Sequence, residues 1–349
     1  MSYRLSIIIS AVAVVSCAAQ SQLPLAGQGS FFVGGEMRAI DVPAMAQLPS
    51  EHGEITVDQM YVQFQIPRSS GRAPSLVLVH GCCLSGKTWE TTPDGRAGWR
   101  DFFLAHGYAV YLVDQSARAR SGFDPTQFYK VQSGDLPAAN GPAIGIATHA
   151  LAWTAFRFGP RFGEAFQDEK FPVEARQEFF KQLVPDLSST LSSEHNPTLT
   201  NLASLGKTLG GAIFIGHSQS GFFPQQAALI DAKAVRGIVS IEPTCRTDLA
   251  ENQLNVLARI PTLVVFGDHL EEGGIRTNSG MWRWSEALAT CRRYSQQIGD
   301  AGGHVEILYL PERGIHGNSH MVMQDSNSDE VAGLVLSWMH QIPPTHREQ

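Results

Sequence analysis

Six short apolar runs dominate the pattern of this chain: Ser75–Val79, Tyr108–Val113, Ala212–Ile215, Val235–Ile241, Thr262–Phe266 and Val305–Leu310. Each is too short for a stable helix and is rich in β-branched or aromatic residues. Their apolar character is continuous rather than alternating. Strands of that kind are buried on both faces, as in a parallel sheet covered by helices. Helix-like stretches lie between or after the runs, at Trp99–Ala105 with a stop at Gly107, at Phe222–Ile230 and at Glu330–His340. The segment Ile55–Pro67 does alternate, and reads as an antiparallel strand near a sheet edge. No internal repeat is present. The pattern predicts an α/β architecture with a mostly parallel central sheet flanked by helices. Ligands of such sheets bind beyond the carboxyl ends of the strands, so the chemistry should follow the runs.

One stretch breaks the rhythm. From Ser121 to Leu209 no strand is evident, although Trp153, Phe156, Phe158, Phe162, Phe166, Phe171, Phe179 and Phe180 all fall within it. A crossover between parallel strands needs far fewer residues. The excess, about 121–209, is expected to be a mostly helical cap over the site, with a polar loop near Ser188–Asn196. Its aromatic content suggests apolar or aromatic substrates.

The N-terminus reads as an export signal. Arg4 supplies a positive charge, Leu5–Val15 is apolar, and small residues follow from Ser16 to Ala19. The apolar run is too short for a stable membrane span. Residues 1–19 are therefore expected to be a signal peptide and 20–349 one folded domain, secreted or periplasmic. Val14-Val15-Ser16-Cys17 also resembles a bacterial lipoprotein box, in which Cys17 would carry lipid. The net charge is −7 and no basic block occurs, which argues against a nucleic-acid partner. Oligomeric state is not legible. Without the signal, four cysteines remain: Cys82, Cys83, Cys245 and Cys291. An even number in an exported chain suggests disulfides. No Cys-x-x-Cys spacing occurs, so a structural zinc site is not expected.

The strongest local motif is Gly216-His217-Ser218-Gln219-Ser220-Gly221, between an apolar strand and a helix-like segment. This is the strand–turn–helix setting of a nucleophile elbow, in which a sharp turn exposes a serine and flanking residues must be small. Gly216 meets that need on one side. On the other, Ser220 replaces the usual glycine. Ser218 is the expected nucleophile.

A serine hydroxyl needs a base, and the base needs an acid to hold its tautomer. In the fold that carries such elbows the order is serine, acid, histidine. His320 follows the last strand and leads into the terminal helix, so it is the expected base, with His316 as the alternative. The pair could in principle share a metal, but Gly317 and Asn318 between them are poor helix formers and no third ligand is evident. For the acid, Glu242 ends the buried run Val235–Ile241, and a carboxylate there is costly unless paired. Glu242 is the expected acid, and Asp268, after Phe266-Gly267, is held in reserve.

The oxyanion donors should be backbone N–H groups, one after the nucleophile and one after the first parallel strand. These fall at Gln219 and at Cys82, with Cys83 as its neighbour. Adjacent cysteines can bridge only with their Cα atoms closer than in ordinary disulfides. A vicinal Cys82–Cys83 bond fixing the oxyanion loop is nonetheless expected, which leaves Cys245 to pair with Cys291.

Several strings together resemble one family. Gly81-Cys82-Cys83-Leu84, Thr88-Trp89-Glu90-Thr91-Thr92-Pro93-Asp94-Gly95, Asp114-Gln115-Ser116, Gly216–Ser220 and Gly317-Asn318-Ser319-His320-Met321 are similar to exported bacterial carboxylesterases of the esterase 713 type. The similarity runs from about Gly29 to the C-terminus and is weakest in the cap. The resemblance implies an α/β-hydrolase fold, a serine–glutamate–histidine triad on Ser218, Glu242 and His320, and a vicinal cysteine pair at the oxyanion hole. The expected activity is hydrolysis of small-molecule carboxylic esters through an acyl-enzyme, without cofactor or metal. An acyltransferase or amidase would use the same triad, and a silent binding protein on this fold would lack one of its members.

Overall fold

The apolar runs assemble into one sheet, which has eight strands among the described residues. The computed structural model describes residues 23–71, 73–187 and 196–342; the expected leader, residues 1–19 with Cys17, lies outside them. The strands are β1 (Leu25–Val33), β2 (Met60–Pro67), β3 (Ser75–Val79), β4 (Val110–Asp114), β5 (Ala212–His217), β6 (Val235–Ile241), β7 (Thr262–Phe266) and β8 (Val305–Tyr309). Their spatial order is β1-β2-β4-β3-β5-β6-β7-β8. β2 runs antiparallel to both β1 and β4, and every pairing from β4 to β8 is parallel.

Each central strand is covered on both faces, which is why its apolar run is continuous. Leu76 and Leu78 of β3 point into one core cluster, and Val77 and Val79 into the other. The helices are α1 (Trp99–Ala105), α2 (Thr126–Ser133), α3 (His149–Ala155), α4 (Arg176–Lys181), α5 (Pro197–Thr208), α6 (Phe223–Ile230), α7 (Glu251–Leu257), α8 (Trp284–Asp300) and α9 (Ser328–Met339). Residues of α1 and α9 fill the first cluster. Those of α5, α6 and α8 fill the second.

Two features differ from the sequence reading. Ile55–Pro67 is not one strand. It divides at Asp58, whose φ of +63° turns the chain. The first part belongs to a strand Glu51–Val57 that pairs with Glu36–Val42 in a separate ribbon, and the rest is β2. Strand β1 left no clear signal because it is a sheet edge of mixed composition, LAGQGSFFV, with no fully buried position.

The segment between β4 and β5 holds α2 to α5 and a short ribbon of Ile144–Gly145 with Asp186–Leu187. Its parts go to different places. Leu199, Leu202 and Leu205 of α5 pack in the second cluster, so α5 is an ordinary crossover helix. Trp153, Phe156, Phe158, Phe171, Phe179 and Phe180 are buried in the first cluster. Phe158 stacks on Phe171 at 3.8 Å, and Phe179 sits edge-on to both. These rings are structural packing, which removes most of the compositional reason to expect an aromatic substrate. Phe162, half exposed, and Phe166, partly exposed and stacked on His269, are the exceptions.

Cys245 and Cys291 form the expected disulfide, tying the chain beyond β6 to α8 across 46 residues. A loop of that size constrains the unfolded chain by about 4 kcal/mol in the chain-entropy view. The double substitution Cys245→Ser with Cys291→Ser should lower unfolding stability by a comparable amount in chemical denaturation. A loss below about 1 kcal/mol would show that the crosslink is dispensable.

Candidate active site

Ser218 heads the turn from β5 into a 3₁₀ segment, Ser218–Phe222, that continues as α6. Its φ is +55°, a left-handed conformation for a residue with a side chain, as expected where a strained turn presents a nucleophile. The turn closes so tightly that a Cβ on Gly216 would lie 2.3 Å from the carbonyl oxygen of Ser220. The departure from glycine at position 220 has a physical use. The Ser220 hydroxyl accepts the N–H of His217 at 3.0 Å and reaches the carbonyl oxygens of Val79 at 2.9 Å and His217 at 3.0 Å. It thereby ties the elbow to the end of β3.

Glu242 follows β6 with φ +52° and is fully buried. One carboxylate oxygen, Oε1, accepts the N–H of Gly267 and the Nη2 of Arg157 at 2.6 Å. The other, Oε2, accepts Nη1 of Arg157 at 2.9 Å and faces Nδ1 of His320 at 3.2 Å. Burial by itself would push the Glu242 pKa up. The Arg157 charge and the His320 contact outweigh it and bring it down to about 2.

His320 is fully buried. Its N–H donates to the carbonyl of Phe156 at 2.9 Å, and its own carbonyl faces Nε2 of His217 at 3.0 Å. The ring lies between Phe156 and Trp284, with centroids at 5.4 and 4.0 Å. With Nδ1–H directed at Glu242, Nε2 carries the lone pair, and it is buried with no hydrogen-bond partner. Burial holds the His320 pKa below the usual histidine value, against the opposing pull of Glu242. The alternative pair, Asp268 and His316, meets elsewhere. His316 Nδ1 is 3.2 Å from Asp268 Oδ2, His316 is largely exposed, and Asp268 is further held by the N–H groups of Gly317 and His269.

The proposed oxyanion loop adjoins the elbow. A Cβ on Gly81 would lie 2.8 Å from His217 Nδ1 and 3.0 Å from Ser218 Cβ, so only glycine permits this approach. Arg118, fully buried, donates through Nη1 to the Gly81 carbonyl at 3.0 Å and through Nη2 to Gln219 Oε1 at 3.3 Å. It also pairs with buried Asp186 from the insertion. One guanidinium thus joins the loop carrying Cys82 to the residue after Ser218.

The expected Cys82–Cys83 bond is absent. The two sulfurs are 3.1 Å apart and both cysteines are free; a bond requires about 2.05 Å. No cis peptide occurs among the described residues. A trans link sets adjacent Cα atoms about 3.8 Å apart, closer than the roughly 4.4–6.8 Å usual for disulfides. The pair is instead a thiol contact that raises the pKa of Cys82. Among the described residues, two groups bring three potential ligand atoms within 4.8 Å of one another: Cys82, Cys83 and Asp186, and Asp168, Asp268 and His269. In both, a carboxylate or imidazole already has a protein partner: Asp186 pairs with Arg118, and His269 with Asp168.

Sequence reading missed Arg157, Arg118 and the supporting acid Asp325. An arginine set between Phe156 and Phe158 in an apolar stretch was a usable sign of a buried charge. Asp325 receives the Ser319 hydroxyl at 2.6 Å, the Ser319 N–H at 2.9 Å and the Asn318 amide at 2.9 Å. It braces the loop immediately before His320. Burial pushes Asp325 up to about 7, and pushes nearby Glu169 up to about 9.

No protein-family model matches the chain. Its sequence is 44% identical to a bacterial esterase of known structure, with a TM-score of 0.85, over 93% of this chain and 98% of that one. It is also 26% identical over 400 residues to "Probable secreted lipase phiG" from Fungal sp. (strain ATCC 74256), spanning 97% of this chain and 98% of the relative. The sheet order and the elbow define an α/β-hydrolase. Within that class the chain belongs to the bacterial esterase family to which its motifs pointed, and it is a carboxylic ester hydrolase.

Two measurements test the site's physical description. Ser220→Ala should cost about 1–3 kcal/mol in denaturant unfolding, because it leaves buried backbone groups without a partner; a neutral result would show that the hydroxyl bonds do not hold the elbow. Glu169 has a folded pKa raised above its unfolded value, so its contribution to stability is complete below about pH 4.5 and lost as pH rises toward 9. Glu169→Gln should therefore flatten the fall of the melting temperature between pH 5 and 9 by several degrees. An unchanged slope would remove Glu169 as its source.

Proposed function

We propose that this protein is a serine carboxylesterase working through Ser218, His320 and Glu242. The observation that carries the reading is the state of His320: Nδ1 faces a buried carboxylate at 3.2 Å, while Nε2 is buried without a partner. A free lone pair in that setting is what a general base for a neighbouring hydroxyl requires.

In this mechanism His320 Nε2 takes the proton of Ser218 as the hydroxyl attacks the ester carbonyl. The N–H groups of Cys82 and Gln219 receive the negative charge that develops on the carbonyl oxygen. The alcohol departs with the proton from His320, leaving an acyl-serine. Water then attacks the acyl-enzyme, giving its proton to the same imidazole, which passes it to Ser218 Oγ as the acyl–serine bond breaks and the acid is released. Glu242 holds the imidazole tautomer and offsets the charge of its cation. The part of the 121–209 segment that precedes α5 serves as the cap, contributing Asp186 to the oxyanion side and Arg157 to the acid side. The signal-like segment 1–19 and the secreted lipase among the relatives support export. No helix among the described residues is long and apolar enough to cross a membrane.

Hydrolysis of a short-chain p-nitrophenyl ester should be rapid in the parent and at least ~10³-fold slower in Ser218→Ala, with Glu242→Gln losing on the order of 10²–10⁴-fold. Equal activity in parent and Ser218→Ala would mean that the nucleophile is misassigned.

A further inference from the structure

Arg157 contacts the acid of the proposed triad more intimately than the base does. It follows α3, in the insertion, with φ +60° and with both neighbouring phenylalanines anchored in the core. Its side chain is fully buried. Nη1 and Nη2 grip the two oxygens of Glu242 at 2.9 and 2.6 Å, and Nε donates to the Asp268 carbonyl at 2.7 Å. Room for the side chain is made by Gly273, where a Cβ would lie 2.2 Å from Arg157 Cγ. The guanidinium carbon lies 5.6 Å from the Trp284 ring centroid, and the same Trp284 packs on His320.

The arrangement has opposing consequences. A fork-shaped cation fixes both oxygens of a carboxylate, which a single imidazole contact cannot do. It also compensates the buried negative charge while His320 is neutral. Yet Nη1 stands only 3.4 Å from His320 Nδ1. A permanent positive charge at that distance disfavours the imidazolium that Glu242 alone would stabilise.

We propose that Arg157 is a positioning residue of the triad, which orients the Glu242 carboxylate toward His320 and extends into acid the pH range over which His320 can accept a proton. This rests on the triad reading given above and deepens it. An insertion residue then completes the site, so docking of that segment and ionisation of the acid are one event. The directions of the shifts agree, with Arg157 lowering both Glu242 and His320. Other titratable groups surround the pair. His217 packs on His320 at 4.7 Å between ring centroids and is held neutral by burial. Asp268 presents its backbone carbonyl to Arg157. Asp325, Glu169 and Tyr309 also feel the Arg157 charge but are pushed upward by burial, Asp325 to about 7 and Glu169 to about 9; Asp325 therefore titrates inside the range scanned, and Asp325→Asn is included in the pH profile to separate its limb from that of His320.

The test is the pH profile of kcat/KM for p-nitrophenyl acetate from pH 4 to 9, in the parent, Arg157→Met and Arg157→Lys, with Ser218→Ala as control. Removing the charge should move the acid limb up by about one pH unit or more. Arg157→Lys should keep the limb near the parent's position while losing roughly tenfold in rate, because a point charge replaces the fork. A loss by the same factor at every pH, with the limb unmoved, would mean that Arg157 only supports the fold, and the proposal would fall. If Arg157→Met does not fold by circular dichroism, NMR titration of His320 in the intact parent decides instead. A midpoint below the usual ~6.5 supports the proposal, and one at or above ~6.5 overturns it. If Ser218→Ala stays active, the triad reading itself fails and takes the proposal with it; if it is inactive and the limb does not move, only the role of Arg157 is lost.

Discussion

A fully buried carboxylate at the end of β6 is the constraint around which the rest of the site is arranged. An uncompensated charge there would cost several kcal/mol. The fold meets that cost with partners from three separate segments. Arg157 comes from the insertion, the Gly267 N–H from the end of β7, and His320 from the loop before α9. None of these is close to Glu242 in sequence. The carboxylate therefore acts as a lock on tertiary structure, since the segments that satisfy it must all be in place at once. The loop bearing His320 is held independently by Asp325, Phe156 and His217, so the imidazole is fixed from its backbone as well as from its ring.

The elbow shows a second use of strain. Left-handed backbone at Ser218, and again at Cys83 and Glu242, lies just beyond strands β5, β3 and β6. Each such residue costs of order 1 kcal/mol or more, and each is held by its surroundings. Ser220 bridges the turn to β3, Gly216 and Gly81 permit the close approaches, and Arg118 joins the loop at Gly81 to Gln219. The two buried arginines play parallel parts. Arg118 pairs with an acid from the insertion, and Arg157 reaches from the insertion to an acid of the sheet. Both ion pairs are fully buried, so the insertion and the sheet are joined on either side of the elbow by charges that cannot easily separate.

Much of the fold was legible in the sequence because burial on both faces writes a continuous apolar run, and the runs matched β3 to β8 closely. The elbow was legible because its geometry demands small residues at fixed places. Glu242 could be preferred over Asp268 because a carboxylate ending an apolar strand requires a partner. Other features left weaker marks. Strand β1 is half exposed at an edge, so packing imposes no clear pattern on it. The aromatic residues of the insertion announced burial but not where; most complete the first core cluster instead of facing a substrate. Cys82 and Cys83 are adjacent in any conformation, so adjacency alone said nothing about whether their sulfurs would bond.

The sequence by itself determined the parallel sheet, the position of the elbow and the family, because these depend on local periodicity and on short strings of residues. Tertiary structure alone decided which histidine meets which carboxylate, sending His320 to Glu242 and His316 to Asp268. It alone set Arg157 against Glu242 and Arg118 between Gly81 and Gln219. The reason is the range of the forces involved. Hydrophobic patterning and turn sterics act over a few neighbouring residues and are written in order along the chain. The compensation of a buried charge is satisfied by whichever partner the fold brings within about 3 Å, whatever its distance in sequence.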